Sequence, residues 1–373
     1  MSIVRGARLR DFRAHVAADA TLGPGLTVIH GPNGAGKTNL LEALYFGCTG
    51  SSCRTSSERE IVHFDAVATR VELDVMAGDG PHQLAVGYEG GQSKRFTADG
   101  APVERLLDVP FRPLVVVFLP DRLELIKGAP SLRRAHLDQL VAGLWPSRAI
   151  HRRSYGQALA QRNALLARVR SGHAPRETLA TWDLELGRHA LELRDVREQA
   201  IDSVRAAFPG LAAELGLTGD VELRYRPRSR AATPEAFALE LAERHASDLE
   251  RGFTGHGPHR DELLVLRDGR ELRLYGSQGE QRLALLALLL AERDALAAAR
   301  DAPPLLLLDD VMSELDQDRR ARLVARATRI GQVVITTTDA ALVPAGERGG
   351  ELPVLLDVRS DLAVSTGAAR VAA

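Results

Sequence analysis

Eight residues near the start of the chain, 31–38, constrain its fold more than any other segment. They read GPNGAGKT and match the pattern G-x-x-x-x-G-K-[S/T]. The run Leu26–His30 before them has the β-branched composition of a buried strand, and residues 39–46 after them have the apolar periodicity of a helix. A glycine loop in this position is typical of α/β proteins whose backbone amides bind phosphate groups.

The loop predicts a nucleotide site in which each residue type has a physical role. Glycines let the backbone amides curve around the phosphates, Lys37 reaches the β- and γ-phosphates, and Thr38 ligates Mg²⁺. Three of the 48 basic residues are lysines, so a lysine at this position favours a specific role. The alternative is a glycine turn that precedes a helix by chance. The predicted nucleotide contacts are Gly31, Pro32, Asn33, Gly34, Ala35, Gly36, Lys37, Thr38 and Asn39.

A second motif lies near the other end of the chain, where the apolar run Leu305–Leu308 is followed by Asp309 and Asp310. A buried strand would carry Asp309 to the carboxyl edge of a parallel sheet, where it holds Mg²⁺ directly or through water. Asp310 is then placed to orient or deprotonate an attacking water. A strand followed by a polar turn is the alternative. Because most of the chain separates the two motifs, we expect a large insertion between them.

The middle of the chain predicts that insertion. From 131 to 205 the pattern is helical, and two apolar stripes are separated by the break SGHAP at 171–175. Such stripes predict an antiparallel helical hairpin with short arms. We expect three parts: 1–125 with the phosphate loop, 126–245 as the inserted arm, and 246–373 with the remaining motifs. The alternating segment 3–12 predicts an edge strand, and 352–358 predicts the last strand.

A third segment, 276–282, reads GSQGEQR and precedes an apolar helix predicted for 283–296. Small residues before a helix leave its first amides available to an anion. Ser277 and Glu280 also fit a capping box, which would satisfy those amides within the chain. The two interpretations are compatible, so both stay open.

Composition excludes several classes of function. The net charge is −1 and the pI about 6.9, so any DNA contact must come from a local basic patch rather than from bulk charge. Cys48 and Cys53 form no CxxC pair and no His/Cys cluster accompanies them, which predicts reduced thiols in a cytoplasmic protein. The sequence shows no signal peptide and no apolar run of membrane-spanning length, so we expect no membrane association.

Several further motifs occur together along the chain. They are DFR at 11–13, GAGKTN at 34–39, SCRT at 52–55, FLPD at 118–121, GPHRDE at 257–262 and SQGEQR at 277–282. With these motifs the sequence resembles the RecF family of recombination mediators, which is related to SMC heads. The resemblance implies an α/β fold: an ABC/SMC-type P-loop ATPase head with an inserted helical-hairpin arm.

The resemblance also implies roles for the third segment. In ABC-type ATPases a Ser-Gly-Gly-Gln element in this place binds the γ-phosphate held by a second subunit. This implies a catalytic role for Ser277, together with Lys37 and Asp310, and nucleotide contacts from Ser277, Gly279 and Glu280. Asp310 stands where many ABC ATPases have a glutamate, which implies slow turnover. Residues 336–339 replace the usual switch histidine, and no glutamine is evident for the glutamine loop.

The function implied by the resemblance is an ATP- and Mg²⁺-dependent homodimer that clamps double-stranded DNA beside single-strand gaps. Slow, DNA-dependent ATP hydrolysis would release the clamp, and the complex would help to load a recombinase. The implied partners are DNA, recognised without regard to sequence, the protein RecR and also RecO. The implied location is the cytoplasm, in association with the nucleoid.

Arginines are the candidates for contacts to the DNA backbone. Arginines at 224, 226, 228 and 230 alternate, so an extended strand would place them on one face. For each candidate the alternative is a solvated surface charge. The pair His259 and Arg260 is either structural or a link between the nucleotide site and the arm. The predicted DNA contacts are Arg54, Arg152, Arg153, Arg224, Arg226 and Arg228.

Two other functions remain as alternatives. The first is a binding module that binds ATP with negligible turnover, which an ATPase assay would distinguish. The second is the SMC-like head of an overcoming-lysogenization-type nuclease system. That class carries a nuclease domain after the head, and the residues that follow Thr338 in this sequence are too few to form one.

Overall fold

The computed structural model describes residues 2–344 and 353–359 and the backbone of a strand at 364–368. The described residues form fifteen strands, numbered in chain order. They are β1 Ile3–Phe12, β2 His15–Thr21, β3 Leu26–His30, β4 Ala68–Ala77, β5 Gly80–Glu89, β6 Arg95–Ala98, β7 Ala101–Val103, β8 Val115–Phe118, β9 Val221–Arg226, β10 Glu262–Arg267, β11 Arg270–Glu271, β12 Leu305–Leu308, β13 Val333–Thr337, β14 Val354–Val358 and β15 Val364–Ala368.

Eleven α-helices accompany the strands in the same described residues. They are α1 Lys37–Thr49, α2 Glu124–Lys127, α3 Pro130–Leu144, α4 Ile150–Arg170, α5 Leu179–Arg205, α6 Phe208–Glu214, α7 Pro234–Ala242, α8 His245–Arg251, α9 Leu272–Tyr275, α10 Gln278–Arg300 and α11 Gln317–Thr328. None of the described helices combines the length and the apolar composition needed to cross a membrane.

The chain divides into two compact units. The first contains Met1–Arg122, Glu214–Gly216 and Leu289–Ala373, so both ends of the sequence build it. The second contains Leu123–Ala213 and Leu217–Leu288. This second unit extends beyond residue 245, where the sequence places the end of the arm, because β10 and β11 form a sheet with β9.

A largely parallel sheet forms the centre of the first unit, with the strand order β15-β14-β3-β13-β12-β8. Each pair from β14 to β8 is parallel, and β15 runs antiparallel to β14. Every residue of β12 and β13 is buried, as expected for parallel strands covered on both faces. The carboxyl ends of β3, β13 and β12 consequently meet at one edge of the sheet.

The first unit also contains an antiparallel sheet, with the order β2-β1-β4-β5-β6-β7. Helix α1 packs between the two sheets, since it contacts β4 and β5 of one and β8 and β13 of the other. Its Leu40 and Leu44 are fully buried. Gly47 leaves no room for a side chain, because a Cβ there would lie 2.7 Å from Leu73 of β4. Helix α1 is therefore held from both sides.

Two details of the sequence prediction need correction. Strand β1 pairs with β2 on one side and with β4 on the other, so the prediction of an edge strand at 3–12 is wrong. Its alternation arises because one face is buried, whichever strands flank it. The segment 352–358 is found as the strand Val354–Val358, with Leu352 outside the described residues, but it is not the last strand, because β15 follows it at Val364–Ala368.

The second unit contains the predicted helical hairpin. Helices α4 and α5 pack against each other and are joined by the segment 171–178. Helices α3 and α7 pack on α5, and α8 packs on α4. The antiparallel sheet of β9, β10 and β11 lies against α3 and α5.

A buried arginine holds the hairpin together. Arg162 of α4 is fully buried and donates to Asp183 of α5 at 2.7 Å and to Asp248 of α8 at 2.8 Å. It also donates to Thr254 at 2.7 Å. Asp183 also forms a hydrogen bond with His245, with 2.6 Å between Oδ2 and Nε2. The buried charges of two carboxylates and one guanidinium group therefore compensate one another in the interior.

Replacement of Arg162 by alanine should strongly destabilise this unit. The change leaves two buried carboxylates without their cation, which typically costs about 3–5 kcal/mol. Arg168→Ala on the exposed face of the same helix is the matched control and should change stability by less than about 0.5 kcal/mol. Urea unfolding followed by circular dichroism measures both variants, and equal losses would contradict this account of the hairpin.

Candidate functional site

The two predicted motifs meet at the carboxyl edge of the parallel sheet. The strand register places Ile335 of β13 between Val28 of β3 and Leu308 of β12. The loop that follows β3 and the two acids that follow β12 therefore emerge beside each other. Such an edge is where open parallel sheets bind their ligands.

Glycines shape the phosphate loop. Gly34 and Gly36 have φ angles of 81° and 93°, in the left-handed region that favours glycine. Gly31 has a φ of 150°, and a Cβ there would lie 2.0 Å from the carbonyl oxygen of Val358. Helix α1 begins at Lys37 with no side-chain cap and no acidic residue in its first turn. Its first amides are therefore available to an anion.

The ammonium group of Lys37 lies inside this loop. Nζ donates to the carbonyl oxygens of Gly31 at 2.8 Å and Pro32 at 2.9 Å, and the residue is 8% exposed. Burial lowers the pKa of Lys37, whereas the carboxylates of Asp310 and Asp309 raise it. Phosphate oxygens would offer this ammonium group charged acceptors in place of neutral carbonyls, which makes stronger hydrogen bonds.

Asp309 joins the two motifs through its carboxylate. It accepts from Thr38 Oγ1 at 3.0 Å to Oδ1 and 3.1 Å to Oδ2, and Oδ1 also accepts from Thr336 Oγ1 at 2.6 Å. Burial raises the pKa of Asp309, the hydroxyls of Thr336 and Thr38 lower it, and the neighbouring Asp310 raises it. A divalent cation at this carboxylate would favour its ionised form.

The pair of Thr38 and Asp309 fits a Mg²⁺ site, because a hydroxyl and a carboxylate are hard oxygen ligands that already lie side by side. Within the described ranges no group of three or more His, Cys, Asp or Glu side chains could hold a metal ion. Mg²⁺ is usually held by one or two carboxylates with substrate phosphates and water rather than by an all-protein cage.

Asp310 adopts an unusual backbone conformation, with a φ of 46°. Its amide donates to the carbonyl oxygen of Thr336 at 3.2 Å and to Oγ1 of the same residue at 3.0 Å. Its Oδ1 is buried and has no hydrogen-bond partner among the described residues. Residues held in the left-handed region cluster at functional sites. A buried carboxylate oxygen without a donor can accept a hydrogen bond from water.

A second buried acid, Glu42, organises the residues beside α1. Its carboxylate accepts from Arg13 at 2.8 and 3.0 Å, from Ser52 Oγ at 2.5 Å and from Arg54 at 3.3 Å. Arg54 also donates to Asn39 Oδ1 at 3.3 Å. The structure thus ties Arg54, a predicted DNA contact, to the helix that carries the phosphate loop.

The signature segment 276–282 lies at the start of α10, in the second unit. The amide of Ser277 donates to Glu280 Oε2 at 2.8 Å, and the amide of Glu280 donates to Ser277 Oγ at 3.3 Å. The capping box is therefore present. The Ser277 amide and then the guanidinium group of Arg267 lower the pKa of Glu280. A Cβ at Gly279 would meet no described atom within 4 Å, so this side of the segment is open.

The arginines of β9 only partly follow the predicted pattern. Arg224 and Arg226 are exposed on one face of the strand, but β9 ends at Arg226, so Arg228 and Arg230 lie beyond it. The prediction of one strand face for all four arginines is therefore wrong, although all four are exposed. Arg224 forms an ion pair with Glu222 of the same strand.

The arginines at the start of the hairpin also differ from each other. Arg152 is paired with Asp138 at 3.1 Å, and Arg153 is exposed and makes no ion pair in the part of the chain that the structure describes.

His259 contacts Tyr155 Oη at 2.6 Å through Nδ1 and the carbonyl of Thr254 at 2.9 Å through Nε2. Burial lowers the pKa of His259 to about 4. This setting favours the structural interpretation of His259.

Comparison with known proteins identifies the family. A protein of Anaeromyxobacter sp. (strain Fw109-5), named DNA replication and repair protein RecF, is 39% identical over 348 residues, which cover 90% of this chain and 92% of the relative. The protein of the same name from Myxococcus xanthus is 38% identical over 347 residues, which cover 90% of each chain. The chain belongs to the RecF family. A family model described as an AAA domain matches residues 8–99.

Solved structures agree with membership of the RecF family. A structure of the recombination mediator protein RecF with ATP has a TM-score of 0.87 and 26% identity, and covers 98% of both chains. The Smc head domain of Pyrococcus furiosus has a TM-score of 0.57 at 16% identity, covering 99% of this chain and 97% of the head. The fold is therefore the ABC/SMC-type ATPase head that the RecF resemblance implies.

The role of Thr336 in this RecF-type site was not predicted from the sequence, where the residue stands out only because no histidine occupies its position. The hydroxyl of Thr336 donates to Asp309 and accepts from the amide of Asp310, so one buried side chain orients both acids. The available signal was its position: a polar residue near the carboxyl end of the strand beside β12.

Replacement of Thr336 by valine should lower stability although the shape of the side chain is kept. The change removes a donor from a buried carboxylate, so the expected loss is about 1–3 kcal/mol. Thr328→Val is the control, because that buried hydroxyl donates to the carbonyl of Val324 in its own helix, and about 1 kcal/mol or less should be lost. Chemical denaturation compares the two, and an unaffected Thr336→Val would show that the hydroxyl is dispensable.

Proposed function

We propose that this chain binds and slowly hydrolyses ATP with Mg²⁺. The observation that carries the proposal is the hydrogen bond between Thr38 of the phosphate loop and Asp309, which directly follows β12. It brings a hydroxyl, a carboxylate and a helix N-terminus to one sheet edge, as P-loop ATPases require. The structural similarity to the ATP complex of RecF supports the same ligand.

Each residue at this edge receives a proposed role. The loop residues 31–39 enclose the phosphates with backbone amides, and Lys37 neutralises charge between the β- and γ-phosphates. Thr38 and Asp309 hold Mg²⁺, which would neutralise charge that develops on the phosphate oxygens. Asp310 orients the attacking water through its free Oδ1, and Thr336 keeps both acids in position. An aspartate reaches less far than a glutamate, which is consistent with slow turnover.

The proposed active form is a dimer with two composite ATP sites. Each site combines the phosphate loop of one chain with Ser277, Gly279 and Glu280 of the other. Two observations support this arrangement: the loop and the signature segment belong to different units, and the signature has an open side at Gly279. ATP then stabilises the closed dimer, and hydrolysis shifts the equilibrium towards its release.

The proposed biological role is DNA repair and replication, as the names of the relatives indicate for those proteins. The ATP-closed dimer would hold double-stranded DNA near single-strand gaps, without reading its sequence, and help to load the recombinase. We propose residues 126–245 as the functional arm, RecR as a partner and RecO as a further one. The family relationship, rather than a contact within this chain, supports the last two proposals.

Asp310→Asn should keep ATP binding and trap the ATP-bound dimer. Because a general base or water-orienting group is lost, the hydrolysis rate should fall by roughly 10²-fold or more. Asp301→Asn is the matched control, since Asp301 is exposed and also has a positive φ, of 48°. Normal turnover in Asp310→Asn would assign the water to another residue. A wild-type chain that binds ATP without multiple turnover would support the alternative of a binding module.

Ser277→Arg should bind ATP as a monomer, fail to dimerise and hydrolyse poorly, because a bulky side chain then occupies the composite site. The substitution also removes a helix cap, which costs about 1 kcal/mol. Thr233→Arg removes the cap of α7 in the same unit and controls for that loss. Light scattering with and without ATP measures dimerisation.

A mixing experiment separates the composite site from a defect within one chain. Ser277→Arg retains its phosphate loop and Lys37→Ala retains its signature, so a heterodimer of the two can rebuild at most one intact site. Partial recovery of ATPase activity on mixing is expected. If Ser277→Arg alone dimerises with ATP and hydrolyses at the wild-type rate, the composite-site proposal fails.

A further inference from the structure

The second unit contains a cleft in which half of the lining residues are arginines. Its volume is about 790 Å³, and four of its lining residues are Arg134, Arg226, Arg228 and Arg260, which we call the arginine cleft. They come from α3, from β9 with the residues after it, and from the turn that precedes β10. Three separate segments of the chain therefore place guanidinium groups around one space.

Three of these arginines have no acidic partner among the described residues. Arg226, Arg228 and Arg260 form no ion pair with any residue that the structure describes. The one acid in the lining, Glu262, is held at 2.7 Å by the buried guanidinium group of Arg133, so its charge is already compensated. The cleft thus concentrates positive charge in a chain whose net charge is −1. Such a concentration attracts anions.

A buried carboxylate fixes the walls of the cleft. Asp261 is 1% exposed and accepts from the amide of Arg228 at 2.7 Å and from the hydroxyl of Tyr225. Its backbone carbonyl accepts from Arg134 Nη1 at 3.0 Å. Burial and then the charge of Arg197 lower the pKa of Arg134, the carboxylates of Glu262 and Asp261 raise it, and the charge of Arg260 in the same cleft lowers it. The arginines are therefore positioned by the fold, and their mutual repulsion would be relieved by a bound anion.

The N-terminus of α3 adds to the positive potential. Pro130 and Ser131, the first residues of this fifteen-residue helix, line the same cleft. The helix has no side-chain cap and no acid in its first turn. Its terminal dipole therefore favours negative charge at the cleft. This is a supporting feature beside the four arginines.

The positive surface continues past the cleft. A neighbouring cavity of about 440 Å³ shares Arg228 and Arg260 and adds Arg251 and Phe253. Arg260 lies over the ring of Phe253 at 5.5 Å from its centroid. Two adjoining cavities that share two arginines fit a polymeric anion better than a single phosphate ion.

The composition of the cleft distinguishes between two classes of polyanion. The centres of protein–protein interfaces are apolar and depleted in charge. The arginine cleft has no large apolar side chain in its lining, where prolines and a serine accompany the charged residues. Binding to a nucleic-acid backbone, in contrast, depends on arginine and lysine contacts to phosphates.

We propose that the arginine cleft binds the phosphate backbone of a nucleic acid, without reading its sequence. The proposal rests on the proposed role in DNA binding and places part of that binding on the second unit. It adds Arg134 and Arg260, which sequence analysis did not nominate, to Arg226 and Arg228. It does not require Arg224, which is paired with Glu222.

The test compares two sets of charge removals in the full chain. The cleft variant carries Arg134→Gln, Arg228→Gln and Arg260→Gln, and a double variant keeps Arg134 because that residue also bonds to the backbone. The control removes three exposed arginines at the tip of the hairpin that form no ion pair within the described part of the chain, by Arg168→Gln, Arg170→Gln and Arg176→Gln. Anisotropy of a fluorescent DNA duplex of mixed sequence is measured between about 50 and 200 mM salt, with ATP and Mg²⁺.

The cleft variant should bind the duplex roughly tenfold or more weakly than wild type, since charged contacts are lost. Its slope of log affinity against log salt should decrease by about one for each phosphate contact removed. The double variant should show a smaller change in the same direction. The control should resemble wild type, and all variants should bind ATP equally well.

Three other outcomes would overturn the proposal. Equal DNA binding by wild type, control and cleft variant would contradict the proposed role of the cleft but leave the proposed DNA-binding function intact. If wild type did not bind DNA, both the role of the cleft and the DNA-binding function would be contradicted. If poly-glutamate binding were lost in the cleft variant while DNA binding was retained, the cleft would instead belong to an acidic protein partner.

Discussion

The proposed nucleotide site depends on one buried carboxylate. Asp309 is shared by the hydroxyl of Thr38, which belongs to the phosphate loop, and the hydroxyl of Thr336, which belongs to the neighbouring strand. Thr336 in turn holds the amide of Asp310 in a backbone conformation that few residues adopt. Three segments that are distant in the sequence are thereby fixed within hydrogen-bond distance. The positions proposed for Mg²⁺ and for the attacking water both follow from this arrangement.

That arrangement explains why both ends of the chain are needed for one sheet. Strand β3 carries the loop, β12 carries the acids, and β13 lies between them in parallel register. The residues inserted between β8 and β12 include a second unit with its own sheet and its own buried charge network around Arg162. The insertion places the signature segment and the arginine cleft in a unit that is separate from the phosphate loop.

Sequence alone predicted the features that are encoded locally. The phosphate loop, the strand β12 with the two acids that follow it, the hairpin and the capping box each depend on residues close together in the chain. The features it missed depend on long-range pairing. Alternation in β1 reports one buried face but not the number of neighbouring strands, and nothing next to Thr336 in the sequence shows that Asp309 accepts its hydroxyl. The arginine cleft likewise forms only when three separate segments meet.

The central claim is that this chain is an ATP-binding member of the RecF family whose phosphate loop acts through Lys37. Calorimetric titration of ATP and Mg²⁺ into wild type and Lys37→Ala tests it most directly. In wild type the ammonium group already lies inside the loop, 2.8 Å from the carbonyl of Gly31. The account predicts that wild type binds ATP and that the folded Lys37→Ala protein loses most of this affinity. Unchanged ATP affinity in Lys37→Ala would contradict it.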